Sequence, residues 1–288
     1  MMPLGDPAGM TTEIHRYSAF TEDAAGGNPA GVVLDASGLD DARMLAIAAK
    51  VGYSETAFLL PRGGHDYDVR YFSPEAEVPF CGHATIAAAV ALADRGARGT
   101  LRLHTPVGEV PVDLATDDGR PVATLTSVDG RAEALPGADL AAALALLRWE
   151  AGDLDPALPP AIGFGGAHHL ILAARTRARL AALDYDFEGL KAFMLERDLT
   201  TVDLVWREDD ATYHARNPFP VGGVVEDPAT GAAAAAFGGY LRHHGLVPAG
   251  RRVTIHQGAD MGRPSILLVD IPERGGIRVT GGAVPIRG

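Results

Sequence analysis

The sequence predicts an α+β protein of two pseudo-symmetric lobes, each a strand-rich, barrel-like shell around a central Ala-rich helix. Short segments with alternating apolar residues recur along the chain and are bounded by Gly and Pro, which is typical of strands. Two Ala-rich helical segments occupy corresponding places in the two halves. Because these helices carry small apolar residues on most faces, neither has a face suited to water, and each is expected to be surrounded by sheet.

An internal duplication is indicated by the two helix openings. Cys81-Gly82-His83-Ala84-Thr85 opens the first Ala-rich helix, and Thr230-Gly231-Ala232-Ala233-Ala234 opens the second. The glycines that end the helices, Gly96 and Gly245, are separated by the same offset. In each half a strand, a proline and an acidic loop come before the helix, so duplication explains the pattern better than a chance match of two Ala-rich helices.

The lobes are predicted to span residues 12–127 and 131–288, with the last strand able to return to the first lobe. The polar, Gly- and Pro-containing stretch 127–137 is predicted to be the linker. Residues 1–11 have no periodic pattern and are predicted to be a disordered leader.

Hydrophobic periodicity predicts the individual elements. The predicted helices are 39–51, 82–95, 138–147, 187–196 and 231–242. The predicted strands are 13–20, 56–60, 67–72, 100–104, 109–114, 122–126, 169–173, 202–205, 212–216, 253–257, 266–271 and 276–279. Residues 163–166 (Gly-Phe-Gly-Gly) are predicted to form a turn.

Charge and composition exclude several classes of function. The formal net charge is −12 and no basic run occurs, so binding to nucleic acid or to anionic membranes is not expected. No stretch approaches the about 18 consecutive apolar residues that suggest a membrane-spanning helix. The first ten residues lack the charged and apolar regions of a signal peptide. A cytoplasmic protein is therefore expected.

Metal and nucleotide cofactors are not predicted either. The chain has one cysteine, Cys81, so it can form neither an intramolecular disulfide nor a multi-cysteine metal site. The pairs His168-His169 and His243-His244 are adjacent in sequence, and adjacent side chains point apart. No HExxH, P-loop or dinucleotide-binding glycine motif occurs.

Four ordered motifs are the most specific signal in the chain. They are Gly27-Asn28-Pro29-Ala30-Gly31, Tyr53-Ser54-Glu55-Thr56-Ala57-Phe58, Phe80-Cys81-Gly82-His83-Ala84-Thr85 and Glu226-Asp227-Pro228-Ala229-Thr230-Gly231-Ala232. Together with Gln257-Gly258 and residues 262–265, they make the chain resemble the PhzF-like family over essentially its whole length. That family is named after the isomerase of phenazine biosynthesis and shares the two-lobed fold of diaminopimelate epimerase.

The resemblance implies an isomerase that works without a cofactor on a small carboxylate-bearing substrate bound between the lobes, and it implies a homodimer. On its residues alone, Glu55 would be interpreted as a solvated carboxylate at the start of a strand. The family's Ser-Glu-Thr motif, whose glutamate shuttles the proton, reverses that preference and adds Ser54 to the substrate-binding residues. A desolvated carboxylate is suited to exchanging protons near neutral pH.

The same resemblance assigns roles to the helix openings. His83 either contacts the substrate or merely packs at the helix start, and the family favours substrate contact. Gly82 and Gly231 allow backbone N–H groups to approach an anion at the positive end of each helix. Simple helix initiation is compatible with that role.

In the second half, Asp227 is a candidate for catalytic support and Asn28 for substrate binding. On residues alone, Asp227 is equally a helix-capping carboxylate and Asn28 a turn residue. Ala232 is a departure from the family, because the phenazine enzyme has serine directly after the Thr-Gly pair. Only the backbone N–H of this position remains available, which puts the phenazine substrate in doubt more than the chemistry.

Two alternatives stay open at this point. One is a non-catalytic binder of small anions with the same fold, and Ala232 is its only support in the sequence. The other is an epimerase that uses Glu55 or Cys81 with Asp227. Epimerases of this fold use two opposed cysteines, and a chain with one cysteine excludes that arrangement. The preferred interpretation of Cys81 is a small residue tolerated at a helix start.

Overall fold

The structure, a computed structural model, describes residues 12–287. The leader predicted at residues 1–11 lies outside the described residues. The described chain forms two compact units, one holding residues 12–19, 29–123 and 282–287, the other holding residues 20–28 and 124–281. Within the described part of the chain, none of the helices has both the length and the apolar character needed to span a membrane.

The elements follow one another in chain order with short connections. The helices are α1 (Asp41–Val51), α2 (Gly82–Ala93), α3 (Gly137–Leu147), α4 (Arg177–Ala181), α5 (Phe187–Glu196) and α6 (Gly231–His243). The strands are β1 (His15–Ala19), β2 (Asn28–Val33), β3 (Glu55–Gly63), β4 (Asp66–Phe72), β5 (Glu77–Val78), β6 (Gly99–Thr105), β7 (Gly108–Asp117), β8 (Arg120–Asp129), β9 (Arg131–Ala134), β10 (Ala161–Phe164), β11 (His168–Ala173), β12 (Leu199–Arg207), β13 (Thr212–Phe219), β14 (Val224–Asp227), β15 (Arg251–Gln257), β16 (Ser265–Ile271) and β17 (Gly276–Pro285).

The first unit is built on the sheet order β2-β3-β4-β6-β7. Strands β2 and β3 are parallel, β3 and β4 antiparallel, β4 and β6 parallel, and β6 and β7 antiparallel. Helix α2 packs against β1, β3 and β7. Its residues from His83 to Ala93 are all buried, so the helix has no solvent-exposed face, as its alanine content predicts.

The second unit repeats this pattern of pairing around α6. Its sheet runs β11-β12-β13-β15-β16, with parallel, antiparallel, parallel and antiparallel neighbours in that order. Each unit also places a short strand directly before its Ala-rich helix, β5 in one and β14 in the other. Helix α6 packs against β9, β10, β11, β12 and β16. The predicted organisation of each half, a strand-rich shell around an Ala-rich helix, is confirmed.

Two local predictions in the second unit are wrong. Residues 131–134, placed in the linker, form β9, which pairs with β10. Residues 163 and 164, predicted to be part of a turn, end strand β10. Gly163 is closely packed there, because a Cβ on it would lie 2.5 Å from Ile171 Cδ1 and 3.3 Å from both Cβ and the carbonyl oxygen of Ala236 in α6. The glycine therefore reflects the approach of the strand to α6 and not a turn.

A similar close approach fixes β2 against β3 in the first unit. A Cβ on Gly31 would lie 2.5 Å from Thr56 Oγ1 and 2.9 Å from Thr56 Cγ2. Thr56 is fully buried, and its Oγ1 has no hydrogen-bond partner within residues 12–287. The side chain next to Glu55 is thus held by packing against the Gly31 backbone.

We therefore expect Gly31→Ala to lower the free energy of unfolding by about 1–3 kcal/mol, the usual cost of overpacking. Thr56→Ala in the same chain removes the two closest atoms and should recover part of that loss. Urea unfolding of both single variants and the double variant measures the coupling. If the two substitutions change the free energy of unfolding by strictly additive amounts, the contact between Gly31 and Thr56 is not the cause of the destabilisation.

A chain of buried polar side chains crosses the sheet of the second unit. His169 Nδ1 lies 2.8 Å from Thr201 Oγ1, which donates to Asn217 Oδ1 at 2.8 Å. Asn217 Nδ2 in turn donates to Asp203 Oδ1 at 3.1 Å. Burial raises the pKa of Asp203 to about 7, although the hydrogen bond from Asn217 opposes the rise. Burial also lowers the pKa of His169 to about 3, so its imidazole is neutral.

The raised pKa of Asp203 predicts a pH-dependent stability. The folded protein retains this proton up to about pH 7, whereas the unfolded chain loses it near the ordinary aspartate value of 3.8. The free energy of unfolding therefore decreases as the pH rises from 3.8 to about 7, and this group causes no further change at higher pH. Asp203→Asn keeps the acceptor oxygen and removes the titration. The stability of the variant relative to the wild type should rise by roughly 1–3 kcal/mol between pH 5 and pH 8. Urea unfolding at both pH values tests this, and a pH-independent difference would contradict it.

Candidate functional site

Glu55 is held in place by the strands on both sides of it. It is the first residue of β3, where it is paired with Ala30 of the parallel strand β2. The next residue, Thr56, is paired with Phe72 of the antiparallel strand β4. A carboxylate at the end of a doubly paired strand has a fixed backbone, and only 16% of the Glu55 side chain is exposed. It is therefore not the solvated carboxylate that its sequence position alone would suggest.

The start of α2 is fixed by a separate set of hydrogen bonds. Thr85 Oγ1 donates to the carbonyl oxygen of Cys81 at 2.7 Å, and it lies 2.6 Å from Tyr71 Oη. All three residues are buried. Cys81 immediately precedes the helix and His83 lies in its first turn, so both side chains project from a rigid backbone.

These two elements bring a carboxylate, a thiol and an imidazole together within the first unit. Glu55 Oε2 lies 3.4 Å from His83 Nε2 and 3.5 Å from Cys81 Sγ. Cys81 Sγ lies 3.3 Å from His83 Nδ1 and 3.8 Å from its Nε2. Ser54 Oγ lies 3.4 Å from His83 Nε2. We call Ser54, Glu55, Cys81 and His83 the acid–base cluster, because it combines a carboxyl, a thiol and an imidazole group.

A second cluster lies within the second unit, around Asp227. Asn28 Nδ2 donates to Asp227 Oδ1 at 2.8 Å and to the carbonyl oxygen of Ala229 at 3.0 Å. Thr230 Oγ1 donates to Asp227 Oδ2 at 2.6 Å. Both oxygens of the carboxylate therefore accept a hydrogen bond from a neighbouring side chain.

Gln257 connects this cluster to the start of α6. Its Nε2 donates to the Asp227 carbonyl oxygen at 2.8 Å and to Thr230 Oγ1 at 3.0 Å, and its Oε1 accepts from the Thr230 N–H at 3.1 Å. One buried glutamine thus fixes the backbone on both sides of Pro228. We call Asn28, Asp227, Thr230 and Gln257 the aspartate cluster.

The segments that supply Asn28 and Asp227 are anchored as well. Arg263 donates to the carbonyl oxygens of Gly26 and Gly27 at 2.6 and 2.7 Å, which holds the turn before Asn28. Arg216 and Glu226 form a buried ion pair one residue before Asp227. Asn28 and Asp227, far apart in sequence, are in direct contact, and residues 20–28 belong to the second unit with Asp227.

The structure thus sorts the predicted site residues into two groups. Ser54, Glu55 and His83 lie together in the first unit, with Gly82 as the first residue of α2. Asn28 and Asp227 lie together in the second unit, with Gly231 and Ala232 as the first two residues of α6. The roles predicted for these eight residues stay predictions.

Three neighbours of these residues were not among the eight predicted site residues, although one of them, Cys81, was a candidate in the epimerase alternative. They are Cys81, Thr230 and Gln257. Cys81 was interpreted as a small residue at a helix start, yet its sulfur contacts both Glu55 and His83. Thr230 lies three positions after Asp227, a spacing that allows a side chain to bond back across a turn. Gln257 could have been found only through its place in the Gln-Gly motif.

Comparison with known proteins places nearly all of the chain in one group. A family model described as phenazine biosynthesis-like protein (PhzC-PhzF) matches residues 17–288. The chain is 31% identical over 284 residues to the uncharacterized isomerase YfhB of Bacillus subtilis, covering 94% of this chain and 96% of that one. It is also 31% identical over 269 residues to trans-2,3-dihydro-3-hydroxyanthranilate isomerase of Pseudomonas fluorescens, covering 88% and 90%.

Solved structures agree on the fold. The PhzF-family phenazine biosynthesis protein of Bacillus anthracis matches with a TM-score of 0.85 and 26% identity, covering 95% of this chain and 96% of that chain. A hydroxyproline epimerase of Agrobacterium vitis matches with a TM-score of 0.66 and 14% identity, covering 95% and 88%. The second likeness concerns the fold alone, and with it the predicted epimerase-like fold class is confirmed.

The aspartate cluster predicts a stability effect at Asn28. Asn28→Ala leaves the buried Asp227 carboxylate and the Ala229 carbonyl with one donor fewer each, so the free energy of unfolding should fall by about 1–3 kcal/mol. Thr100→Ala is a matched control, since Thr100 donates to Asp113 at the same 2.8 Å but on the exposed surface. The control should change stability by less than about 0.5 kcal/mol. Chemical unfolding measures both variants, and equal effects would mean that burial of the Asn28 bond has no consequence.

Proposed function

Because the chain belongs to the PhzC-PhzF family of phenazine biosynthesis-like proteins, we propose that it isomerises a small carboxylate-bearing substrate by proton transfer, with Glu55 as general acid and base. The enzyme class is supported by relatives named isomerases. The proposal adds the residue, the cofactor-independent mechanism and the class of substrate.

The observation that carries the proposal is the position of the Glu55 carboxylate in the acid–base cluster. It is mostly shielded from water, held by a paired strand, and 3.4 Å from an imidazole nitrogen. A general base must be fixed and within reach of the proton that it removes, and partial burial keeps bulk water from competing for that proton.

The proposed reaction is a relocation of one proton. Glu55 takes a proton from a carbon of the substrate, and the electron pair released moves into the neighbouring π system. The protonated Glu55 then returns the proton to another carbon of the same system, so the enzyme ends in its starting state. His83 donates a hydrogen bond that stabilises the negative charge developing on the substrate. Ser54, within 3.4 Å of the same imidazole nitrogen, orients the ring.

The residues of the second unit have supporting roles in the proposal. Asp227, with Asn28 beside it, receives an amino or hydroxyl group of the substrate. The backbone N–H groups of Gly82, Gly231 and Ala232 bind its negative charge, since the first N–H groups of a helix have no partners within the helix. The location of the substrate between the two lobes, the homodimer and the cytoplasmic location stay predictions.

The substrate of the Pseudomonas fluorescens relative is the first compound to test. Its name specifies trans-2,3-dihydro-3-hydroxyanthranilate. Ala232 cannot supply the hydroxyl that serine would, so this compound is expected to be a poorer substrate than a related acid that needs only the backbone contact. A panel of small unsaturated amino and hydroxy acids, incubated with the enzyme in D₂O, covers the class.

The decisive variant is Glu55→Gln, which keeps the size of the side chain and removes its ability to carry the proton. Deuterium incorporation from D₂O, followed by NMR, should fall by about 10²- to 10⁴-fold, the usual contribution of a general acid–base group. Glu109→Gln is the matched control, because Glu109 is a glutamate of the same unit with 55% of its side chain exposed. The control should exchange at the wild-type rate.

The same experiment separates the alternatives. Exchange at the wild-type rate in Glu55→Gln would rule Glu55 out as the acid and base. A wild-type protein that binds acids from the panel, as a shift in thermal unfolding shows, without any exchange would instead be a non-catalytic binder. Loss of optical rotation by a chiral acid would identify an epimerase, with Cys81 or Glu55 and Asp227 as the candidates.

A further inference from the structure

The acid–base cluster contains three different metal-binding groups, one of which, the thiol of Cys81, has no role in the proposed proton transfer. The carboxylate oxygens of Glu55, the Sγ of Cys81 and the ring nitrogens of His83 offer one ligand atom each, and these atoms all lie within 4.8 Å of one another. Cys81 and His83 are buried, and Glu55 is mostly so. A thiolate, an imidazole and a carboxylate are the three ligand types found at zinc sites in proteins.

Two of the three distances between the donor atoms match the edges of a zinc tetrahedron, and the third is slightly longer. Bond lengths of about 2.0–2.2 Å to nitrogen and oxygen and about 2.3 Å to sulfur place neighbouring ligands roughly 3.3–3.6 Å apart. Glu55 Oε2 lies 3.4 Å from His83 Nε2 and 3.5 Å from Cys81 Sγ. The third edge, from Cys81 Sγ to His83 Nε2, is 3.8 Å. Small side-chain rotations are therefore sufficient to bring all three atoms onto one ion.

The three proposed ligands also belong to elements whose backbone is held in place. Glu55 is fixed by the pairing of β3 with β2, and Cys81 and His83 are fixed by the buried start of α2. A sulfur and a nitrogen donor favour Zn²⁺ over Mg²⁺ or Ca²⁺, which prefer oxygen ligands. Three protein ligands leave one coordination position open to water or to a carboxylate.

We propose that Glu55, Cys81 and His83 form a Zn²⁺-binding site whose occupation inhibits the enzyme. A carboxylate that donates its electron pair to the metal cannot accept a proton, so the ion and the catalytic function of Glu55 exclude each other. The binding of the metal is independent of the proposed function, whereas the inhibition rests on it.

Co²⁺ is the probe, since it replaces Zn²⁺ and reports a bound thiolate by a charge-transfer band in the near ultraviolet. The whole chain, first treated with a chelator, is titrated with Co²⁺ and then with Zn²⁺. One equivalent of Co²⁺ per chain should produce the band together with the intense visible bands of a tetrahedral site, and Zn²⁺ should abolish both.

Two variants identify the ligands. Cys81→Ser should lose the charge-transfer band and bind Zn²⁺ more than about tenfold more weakly, because even the loss of groups that only support metal ligands costs 10- to 100-fold. Serine is a favoured residue at the position before a helix, so this variant is expected to fold. His104→Gln is the control, since His104 is a histidine of the same unit that lies beside two carboxylates, 3.5 Å from Asp66 and 3.9 Å from Glu109, and is not one of the three proposed ligands. The control should bind like the wild type.

The possible outcomes distinguish the proposed metal site from the proposed inhibition. A wild-type protein without the sulfur band, or a band that persists in Cys81→Ser, overturns the metal site whatever the activity shows. A band that depends on Cys81, together with deuterium exchange that Zn²⁺ stops and a chelator restores, supports site and inhibition. A Cys81-dependent band with exchange unaffected by Zn²⁺ keeps the site and overturns the inhibition, and with it the role of Glu55.

Discussion

The enclosure of one Ala-rich helix by strands in each unit is the constraint on which the rest of the structure depends. Residues 83–93 of α2 are buried without interruption, and the helix packs against β1, β3 and β7. Only small side chains allow sheet to approach a helix from several sides at once. The backbone of the first turn of such a helix is consequently held in place, and polar side chains there project in a defined direction.

The chemistry of the site depends on the side chain that the neighbouring strand places beside the first turn of α2. Strand β3 starts with Glu55, and its pairing with β2 and β4 determines where the carboxylate lies relative to His83 and Cys81. In the second unit the same design places Asp227 at the end of β14 and fixes it through Gln257 and Asn28. The proposed proton transfer and the proposed metal binding both use the first arrangement, because both require a carboxylate and an imidazole at a set distance.

Strong patterns in the sequence were sufficient for most of the fold. Asp40 caps α1 and Gly52 ends it in the left-handed conformation, at the point where the glycine predicted the end. Strand β9 was missed because it has four residues and only Ala132 of these is buried, too few for a periodic signal. The contact of Asn28 with Asp227 was not predictable from periodicity, since it depends on which unit residues 20–28 join. The contact of Cys81 with Glu55 was not predicted, because Glu55 lies on another element and spacing along the chain does not show such a contact.

A crystal structure of the enzyme with a bound small carboxylate analogue tests the proposed role of Glu55 most directly. The analogue is expected to lie against the acid–base cluster, with a Glu55 carboxylate oxygen within about 3.2 Å of the atom that stands for the reacting carbon or of a water bound to it. His83 should contact the same molecule. An analogue bound away from this cluster, with Glu55 turned into bulk water, would contradict that role.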